Sequence, residues 1–298
     1  MDLEAEKTMS RGYEEYVLVN GEKIEVINGK LDLSRKGIND ITEIYGLEKF
    51  KNLQELNLGY NQITEIIGLD SLTNLQKLYI NHNQITEIKG LDALTNLKEL
   101  WLYRNQISEI KGLNKLINLE DLFIWSNKIT EIQGIEKLKN LEFFYLGGNQ
   151  ISEITGLENC TNLKELCLAK NQISEIKGLD TLINLKKLWF YENKITEIKG
   201  FDMLINLKEL YLYENQINEI KGLENLISLQ ELSLRDNLIS ELKGLEKLTN
   251  LKRLYLTENQ IPKDILEKCG GLDEDGGATN PQKIVNFCSI NKIGESFG

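Results

Sequence analysis

The sequence predicts an α/β solenoid: a horseshoe with a parallel β-sheet on its concave face, short helical or 3-10 segments on its convex face, an N-terminal β-hairpin cap and a C-terminal helical cap. Three observations lead to this fold. Asparagine recurs every 22 residues from 61 to 259, and glycine recurs every 22 residues from 46 to 244. Leucines alternate between them in the pattern LxxLxLxxNQIxEIxGLxxLxN. A fixed period of this length indicates stacked coils that bury their apolar residues against one another.

Each part of the repeat has a predicted place in its coil. The LxL alternation indicates a short strand with one face inward, and strands one coil apart form a parallel sheet. The recurring asparagine lies at a sharp turn, where its amide can satisfy unpaired backbone groups inside the coil. A second asparagine column at 52, 74, 96, 118, 140, 162, 184, 206 and 250 is expected to do similar work on the other side. The recurring glycine suits a turn with an unusual backbone angle.

The two ends of the chain are predicted to close the stack. Residues 1–12 are expected to be flexible, and residues 13–30 to form the N-terminal cap, because two Asn-Gly steps between alternating apolar residues indicate a hairpin. The repeat array occupies 31–261, with about 10–11 repeats. Residues 262–298 form the C-terminal helical cap and tail, since Pro262 suits a helix start and Gly270 its end.

The cap sequence contains a segment, DEDGGATN, with a faint likeness to a calcium loop. The later ligands are missing, so a plain loop is the favoured interpretation. Cys269 and Cys288 fall on the two predicted helices. Two buried thiols are the favoured interpretation, and a disulfide between them is the alternative.

Composition excludes several classes of function. The net charge of −11 repels nucleic acid and anionic membrane surfaces, so neither partner is expected. With four irregularly spaced cysteines and one histidine, the chain is predicted to hold no metal and no cofactor and not to be an enzyme. There is no apolar run near 18 residues, and the N-terminal segment MDLEAEKTMS is not a basic-then-apolar leader. A cytoplasmic location is therefore expected.

The repeats resemble the leucine-rich repeat family over roughly residues 31–261. Within it, the short repeat with EIxGL looks most like the repeats of the regulatory subunit of type 1 protein phosphatase. The internalin-type adhesins share the LTNLxxLxLxxNQI portion but typically carry proline where this chain has glycine. The C-terminal cap departs from the phosphatase-subunit pattern. The resemblance implies a phosphatase catalytic subunit as a candidate partner, contacted by the concave aromatics at Trp101, Phe123, Trp189 and Tyr211.

A column of glutamates follows the turn asparagines, from Glu43 to Glu241 in steps of 22 residues. Six of the coils place a lysine two residues further on, at 89, 111, 177, 199, 221 and 243. The favoured interpretation is a solvated salt-bridge lattice, in which each pair contributes little stability. The alternative is a cation-binding acidic stripe.

The predicted concave face carries the residues that vary most from coil to coil. The first column, four residues before each turn asparagine, includes Tyr79, Trp101, Phe123, Tyr145, Cys167, Trp189, Tyr211 and Tyr255. The second column, two residues before it, includes Tyr103, Trp125, Tyr191 and Tyr213. These aromatics are predicted to bind a protein partner, since tryptophan and tyrosine dominate binding hot spots and an open apolar patch is a liability unless something covers it. Cross-strand stacking alone is the alternative.

Two further features shape the predicted binding face. Gly147, Gly148, Cys167 and Ala169 form a small-residue window between aromatics, into which a partner's side chain or loop is hypothesised to enter. Cys167 is expected to be exposed and unreactive. One residue before the turn asparagine, the later coils carry Glu192, Glu214, Asp236 and Glu258. This acidic rim suits a basic patch on the partner and would steer its association.

The sequence therefore predicts a non-catalytic protein-binding module with an aromatic concave face, and the resemblance implies the phosphatase-regulatory type. The alternative is a structural scaffold or adhesin-like repeat protein that self-associates through the same aromatics.

Overall fold

A computed structural model describes residues 16–295, so the segment predicted to be flexible, 1–12, lies outside the described residues. Two strands, β1 (Tyr16–Val19) and β2 (Glu22–Glu25), form an antiparallel hairpin. Eleven strands follow in one parallel sheet, in the order of the chain. They are β3 (Lys30–Asp32), β4 (Glu55–Asn57), β5 (Lys77–Tyr79), β6 (Glu99–Trp101), β7 (Asp121–Phe123), β8 (Phe143–Tyr145), β9 (Glu165–Cys167), β10 (Lys187–Trp189), β11 (Glu209–Tyr211), β12 (Glu231–Ser233) and β13 (Arg253–Tyr255). The predicted parallel-sheet solenoid is confirmed.

The sheet is in register throughout, so equivalent residues of successive coils are neighbours. Leu78 pairs with Leu100, and Leu100 pairs with Leu122. All three leucines have no exposed surface. One continuous core of leucine and isoleucine runs from Val17 of the hairpin to Cys288 near the C-terminus.

The convex face differs from the prediction of short helical segments. In the described chain, 3-10 helix occurs only at Ile41–Glu43 and Leu47–Lys49, both in the first coil. Later coils cross the convex face in single turns, for example with Leu94 N–H donating to Leu91 O and Leu97 N–H donating to Leu94 O, both at 3.0 Å. Eight residues lie between the glycine and the next strand, as 91–98 do between Gly90 and β6, and they form two successive single turns.

The turn asparagines bind backbone groups in their own coil and in the preceding coil. Asn127 Nδ2 donates to Ile124 O at 3.0 Å and to Leu102 O at 3.1 Å, while its Oδ1 accepts from Ile107 N–H at 3.0 Å. The second asparagine column donates to the preceding coil, as Asn118 does to Thr95 O at 2.9 Å. Both predicted asparagine roles are confirmed.

The Glu–Lys columns form the predicted lattice of exposed ion pairs. Lys199 Nζ lies 2.9 Å from Glu175 of the preceding coil and 3.7 Å from Glu197 of its own coil. Lys243 makes the same pair of contacts with Glu219 and Glu241. Exposed pairs of this kind contribute little stability, but they prevent repulsion along the glutamate column.

Both ends of the array are covered. Asn20 and Gly21 turn the β1–β2 hairpin with positive φ angles of 51° and 80°, and Leu18 exchanges backbone hydrogen bonds of 3.0 Å with Tyr45 of the first coil. At the other end lie α1 (Lys263–Lys268) and α2 (Pro281–Glu295). Cys269 and Cys288 are free and buried.

The loop between α1 and α2 protects the last strand of the sheet. Ala278 N–H donates to Leu254 O at 2.7 Å, and Leu256 N–H donates to Gly276 O at 3.3 Å. Asp273 shapes this loop by accepting from the N–H groups of Asp275 and Gly277 at 3.1 and 2.8 Å. The DEDGGATN segment therefore covers a sheet edge that would otherwise present unpaired backbone groups.

Candidate functional site

The first aromatic column is a nearly continuous chain of ring contacts along the concave sheet. Its ring centroids are separated by 4.5 Å between Tyr79 and Trp101, 5.6 Å between Trp101 and Phe123, and 4.9 Å between Phe123 and Tyr145. Trp189 and Tyr211 continue it with parallel rings 5.9 Å apart. All of these rings are half-buried. Stacking therefore explains part of their burial, and the remaining ring surface faces the open concavity.

Cys167 occupies the place in this column where a ring is missing. The rings of Tyr145 and Trp189 meet at 5.8 Å although they lie two coils apart. Cys167 is half-buried and lines the concavity beside these rings, and burial raises the pKa of its thiol, while the backbone N–H groups of Ala169 and Gly147 lower it. Cys167 is therefore less exposed than predicted, because the large rings on either side of it meet next to its small side chain. A raised thiol pKa fits the expectation that it is not a nucleophile.

The second column contains two face-to-face ring pairs with a gap between them. Tyr103 stacks on Trp125 at 4.3 Å with 7° between the ring planes, and Tyr191 stacks on Tyr213 at 4.4 Å with 5° between them. The two coils between the pairs carry Gly147 and Ala169 in this column. The gap is therefore two rings long, and it has a pair of stacked rings on either side.

This gap opens into a concavity of about 740 Å³, which we call the slot. Trp125 and Tyr191 form its two end walls, Tyr145 and Trp189 lie along one side, and Gly147 and Ala169 line its floor. The small-residue window predicted from the sequence lies here. Arg104, Ser126 and Lys170 also line the slot. None of the three was selected from the sequence, although each lies one residue before a turn asparagine.

The residues one before each turn asparagine form the rim of the concave face. In every coil from Arg35 to Glu258 this residue has a left-handed backbone, with φ between 50° and 65°. Only Gly148 adopts this conformation without strain. The rim side chains change sign along the array: Arg35 and Arg104 precede the slot, and Glu192, Glu214, Asp236 and Glu258 follow it.

The predicted acidic rim is partly neutralised within the protein. Lys170 Nζ lies 2.7 Å from Glu192, and Arg235 Nε lies 2.9 Å from Asp236. The two side chains left for a partner are Glu214 and Glu258, for which no ion pair is found among the described residues. Two of the four acidic side chains predicted for the rim are thus paired within the protein.

Seven of the fifteen predicted binding residues line the slot and eight do not, among them Tyr255 and Asp236. Tyr255 is separated from Tyr211 by Ser233 in the first column, and it pairs through its backbone with Gly277 of the C-terminal cap. Asp236 lies two coils beyond Glu192. At the other end, the structure adds residues that the sequence analysis did not select: Tyr60 stacks on His82 at 4.0 Å, and His82 meets Tyr103 edge-on at 5.5 Å. Their common rim position beside the second column was the available signal.

Carboxylates border the first column on the side away from the slot. The Tyr145 hydroxyl donates to Glu165, and the Tyr211 hydroxyl donates to Glu209 at 3.1 Å. Burial and nearby carboxylates raise the pKa of both phenols. Burial, followed by the negative charges of Glu99, Glu120 and Glu142, raises the pKa of Asp121 to about 6.

Asp121 should make stability depend on pH. Its folded-state pKa of about 6 lies above the ordinary value of 3.8, so the folded protein binds the proton more tightly than the unfolded chain. Stability from this group is present below pH 4 and is lost as the pH rises to about 6. We expect Asp121→Asn to raise the melting temperature at pH 7.5 and to have little effect at pH 4, measured by circular dichroism. A uniform shift at both pH values would contradict this account.

Models of known protein families match the repeats of this chain. A model described as "Leucine Rich repeats (2 copies)" matches residues 73–115, 117–159, 161–203, 183–227 and 227–268, and a model described as "Leucine rich repeat" matches residues 30–85. These matches cover the whole parallel sheet. The chain belongs to the leucine-rich repeat family.

Among solved leucine-rich repeat structures, two internalins of Listeria monocytogenes are similar to this chain. Internalin inlF is 30% identical with a TM-score of 0.53, and the match covers 78% of this chain and 82% of that chain. Internalin C2 is 30% identical with a TM-score of 0.55, and the match covers 74% and 88% of the two chains. A search of curated protein sequences finds no match. The internalin likeness holds although this chain has glycine at the position where proline was expected for internalins.

A third structure shares the fold alone. The TLR13 chain in a TLR13–ssRNA13 complex is 24% identical with a TM-score of 0.63, and the match covers 76% of this chain and 40% of that chain. The matches support leucine-rich repeats as such and do not support the finer assignment to the phosphatase regulatory subunit.

Leucine-rich repeat proteins of these kinds are typically non-enzymatic interaction modules. Among residues 16–295, no group of three or more histidine, cysteine, aspartate or glutamate side chains is arranged to hold a metal ion. Over the same residues, no helix is long and apolar enough to cross a membrane.

Proposed function

We propose that this leucine-rich repeat protein binds a folded protein partner on its concave face, through the two aromatic columns. The observation that carries the proposal is the half-exposed ring surface that surrounds a 740 Å³ slot on an open sheet. Contiguous apolar surface of this kind is typical of interaction sites, and tryptophan and tyrosine supply most of the binding energy at protein interfaces.

The proposal predicts a larger loss of stability from substituting an inward leucine than from substituting a concave ring. Leu100→Ala should lower the free energy of unfolding by about 2–5 kcal/mol, because it leaves a cavity in a fully buried position. Trp101→Ala should cost less, because Trp101 keeps part of its surface exposed and its indole N–H is buried without a hydrogen-bond partner among the described residues. Urea denaturation measures both. Equal losses would assign the rings to folding instead of binding.

Capture of a partner is the direct test. We expect a Trp101/Trp125/Trp189 triple alanine variant to lose proteins that the wild type retains from a native lysate, identified by mass spectrometry. Tyr45→Ala is the matched control, because Tyr45 is 70% exposed and lies outside the sheet. Retention by the triple variant of everything that the wild type and Tyr45→Ala retain would contradict the proposal.

A phosphatase catalytic subunit is the finer candidate, suggested by the EIxGL repeats. Purified type 1 catalytic subunit in the same capture assay tests it: binding that requires Trp101 and Trp189 would support this partner, and no binding would exclude it. A cytoplasmic location stays a prediction, to be tested by fractionation of the source cells.

Self-association is the second candidate and is favoured by a different surface. Ile183, Ile205 and Ile227 occupy the same position in three successive coils, outside the sheet, and are 46%, 50% and 56% exposed. A ridge of isoleucine in water favours burial against another molecule. Sedimentation velocity over a range of concentrations tests this, with Ile205→Thr as the variant that matches the threonine found at this position in other coils.

A further inference from the structure

We propose that the slot takes an aromatic side chain from a loop of the partner, and that this loop carries an acidic residue on one side of the ring and a basic residue on the other. The inference rests on the proposed function and names the chemistry of the partner at that same site. Three observations carry it: the gap in the ring column, the open faces of the rings that border the gap, and the change of charge along the rim.

The size of the gap is set by the repeat. Trp125 and Tyr191 lie three coils apart, which at strand spacing is about 14 Å, whereas stacked neighbours in this column lie 4.3–4.4 Å apart. Two rings would continue the column without interruption. The floor offers no side chain to fill this space, because the two intervening residues are Gly147 and Ala169.

The bordering rings present their faces to the gap. The planes within each pair differ by only 7° and 5°, so the rings stack along the solenoid axis, and Trp125 and Tyr191 each have one face without a ring neighbour in this column. Each of these two rings already has a cation near it: Lys170 Nζ lies 5.9 Å from the centroid of Tyr191, and Arg104 Cζ lies 5.4 Å from the centroid of Trp125. A ring that stacks here would displace an exposed side chain and not another aromatic ring. A planar side chain that enters the slot can stack on one of these two rings, and such stacking gives aromatic pairs their extra attraction; the gap of about 14 Å is too long for one ring to contact both ends.

The charges on the rim indicate which residues of the partner loop flank the inserted ring. Arg104 lies before the slot, and Glu214 lies after it; no ion pair is found for either among residues 16–295. They are five coils apart, or about 24 Å, and six steps of extended chain span about 20 Å. A loop with an acidic residue three positions from the ring on one side and a basic residue three positions away on the other reaches both. On the rim between Arg104 and Glu214, Lys170 and Glu192 form an ion pair, so their two charges cancel.

The test uses a blocked heptapeptide, acetyl-Glu-Glu-Gly-Trp-Gly-Lys-Lys-amide, as the probe. Ligand-observed NMR titration of the full chain should show binding about tenfold tighter than that of the same peptide with leucine in place of tryptophan, because the stacking contact of the ring is lost. A peptide with glutamate at both ends or lysine at both ends should bind more weakly than the probe. Equal binding of the tryptophan and leucine peptides would overturn the proposal.

Variants that place a tyrosine inside the slot test whether the open slot is needed for probe binding. Gly147→Tyr supplies a ring to the gap at a residue with an ordinary backbone, where a Cβ would lie 3.3 Å from Cys167 Sγ and from Ala169 O. It should abolish probe binding. Arg235→Tyr, the control, adds a ring in the same column two coils beyond Tyr191 and leaves Asp236 without its ion pair, so the basic end of the probe should bind at least as tightly as before. Ala169→Tyr fills the next coil and replaces Gly147→Tyr if circular dichroism shows that the latter does not fold.

The remaining outcomes separate the two proposals. If Gly147→Tyr and Ala169→Tyr retain the partner while the Trp101/Trp125/Trp189 triple alanine variant loses it, the concave face binds but the slot inference is wrong. Adenosine monophosphate tests a nucleic acid in place of a protein loop: binding tighter than that of the peptide and lost in Gly147→Tyr would overturn the protein assignment. Dimerisation that Gly147→Tyr alone abolishes would identify a second copy as the occupant and would also overturn it.

Discussion

Gly134→Ala should destabilise the protein by roughly 4 kcal/mol or more. Gly134 has φ of +82°, and a Cβ built there lies 1.9 Å from Ile110 O of the preceding coil. A left-handed non-glycine residue costs about 1–3 kcal/mol, and forcing packed backbones apart costs about as much again. The loss should appear as a lower urea midpoint, followed by fluorescence of Trp101, Trp125 and Trp189.

Gly46→Ala is the matched control for this prediction. Gly46 has a similar positive φ of +91°, but a Cβ there would be no closer than 3.9 Å to Lys49 Nζ or Tyr16 O. It should therefore show only the conformational cost, about 1–3 kcal/mol. If both variants lost the same stability, close approach of the coils would not be the reason for glycine at this position.

The fold could be predicted from the sequence because every column repeats one local environment. Leu78, Leu100 and Leu122 are neighbours in register, so the same residue type satisfies the same packing requirement in each coil. The turn asparagines were predictable for the same reason. The convex turns were less predictable, since the apolar spacing there fits both a short helix and two successive single turns.

The residues that lie at the site could be predicted from the sequence, but the orientation of their side chains could not. The register brought Trp125, Tyr145, Trp189 and Tyr191 together around Gly147, as expected. Ring orientation, however, depends on side-chain packing, so the contact between Tyr145 and Trp189 next to Cys167 could not be read from the sequence. The left-handed rim was also hidden, because glutamate, lysine and arginine give no turn signal there, and the fold imposes the conformation.

Asn127→Ala should be the most damaging change at a polar position. Its amide supplies three buried hydrogen bonds, to Ile124 O, Leu102 O and Ile107 N–H, and alanine offers none. Only Ile107 N–H is left unpaired, at a cost of about 1–3 kcal/mol, because Leu102 O and Ile124 O still accept from Asn105 and Asn149. With about 0.5–1.5 kcal/mol for each of the other two lost bonds, the variant should lose about 2–6 kcal/mol in urea denaturation. The cost falls on two coils together, because two of the three partners belong to the preceding coil.

Asn118→Ala distinguishes this account from a general intolerance of asparagine loss. Asn118 lies in the exposed column and makes one hydrogen bond, to Thr95 O at 2.9 Å. Water can replace that bond, so we expect a loss of about 1 kcal/mol or less. A loss at Asn118 as large as that at Asn127 would mean that burial does not set the cost. A small loss at both would mean that the apolar core alone holds neighbouring coils together.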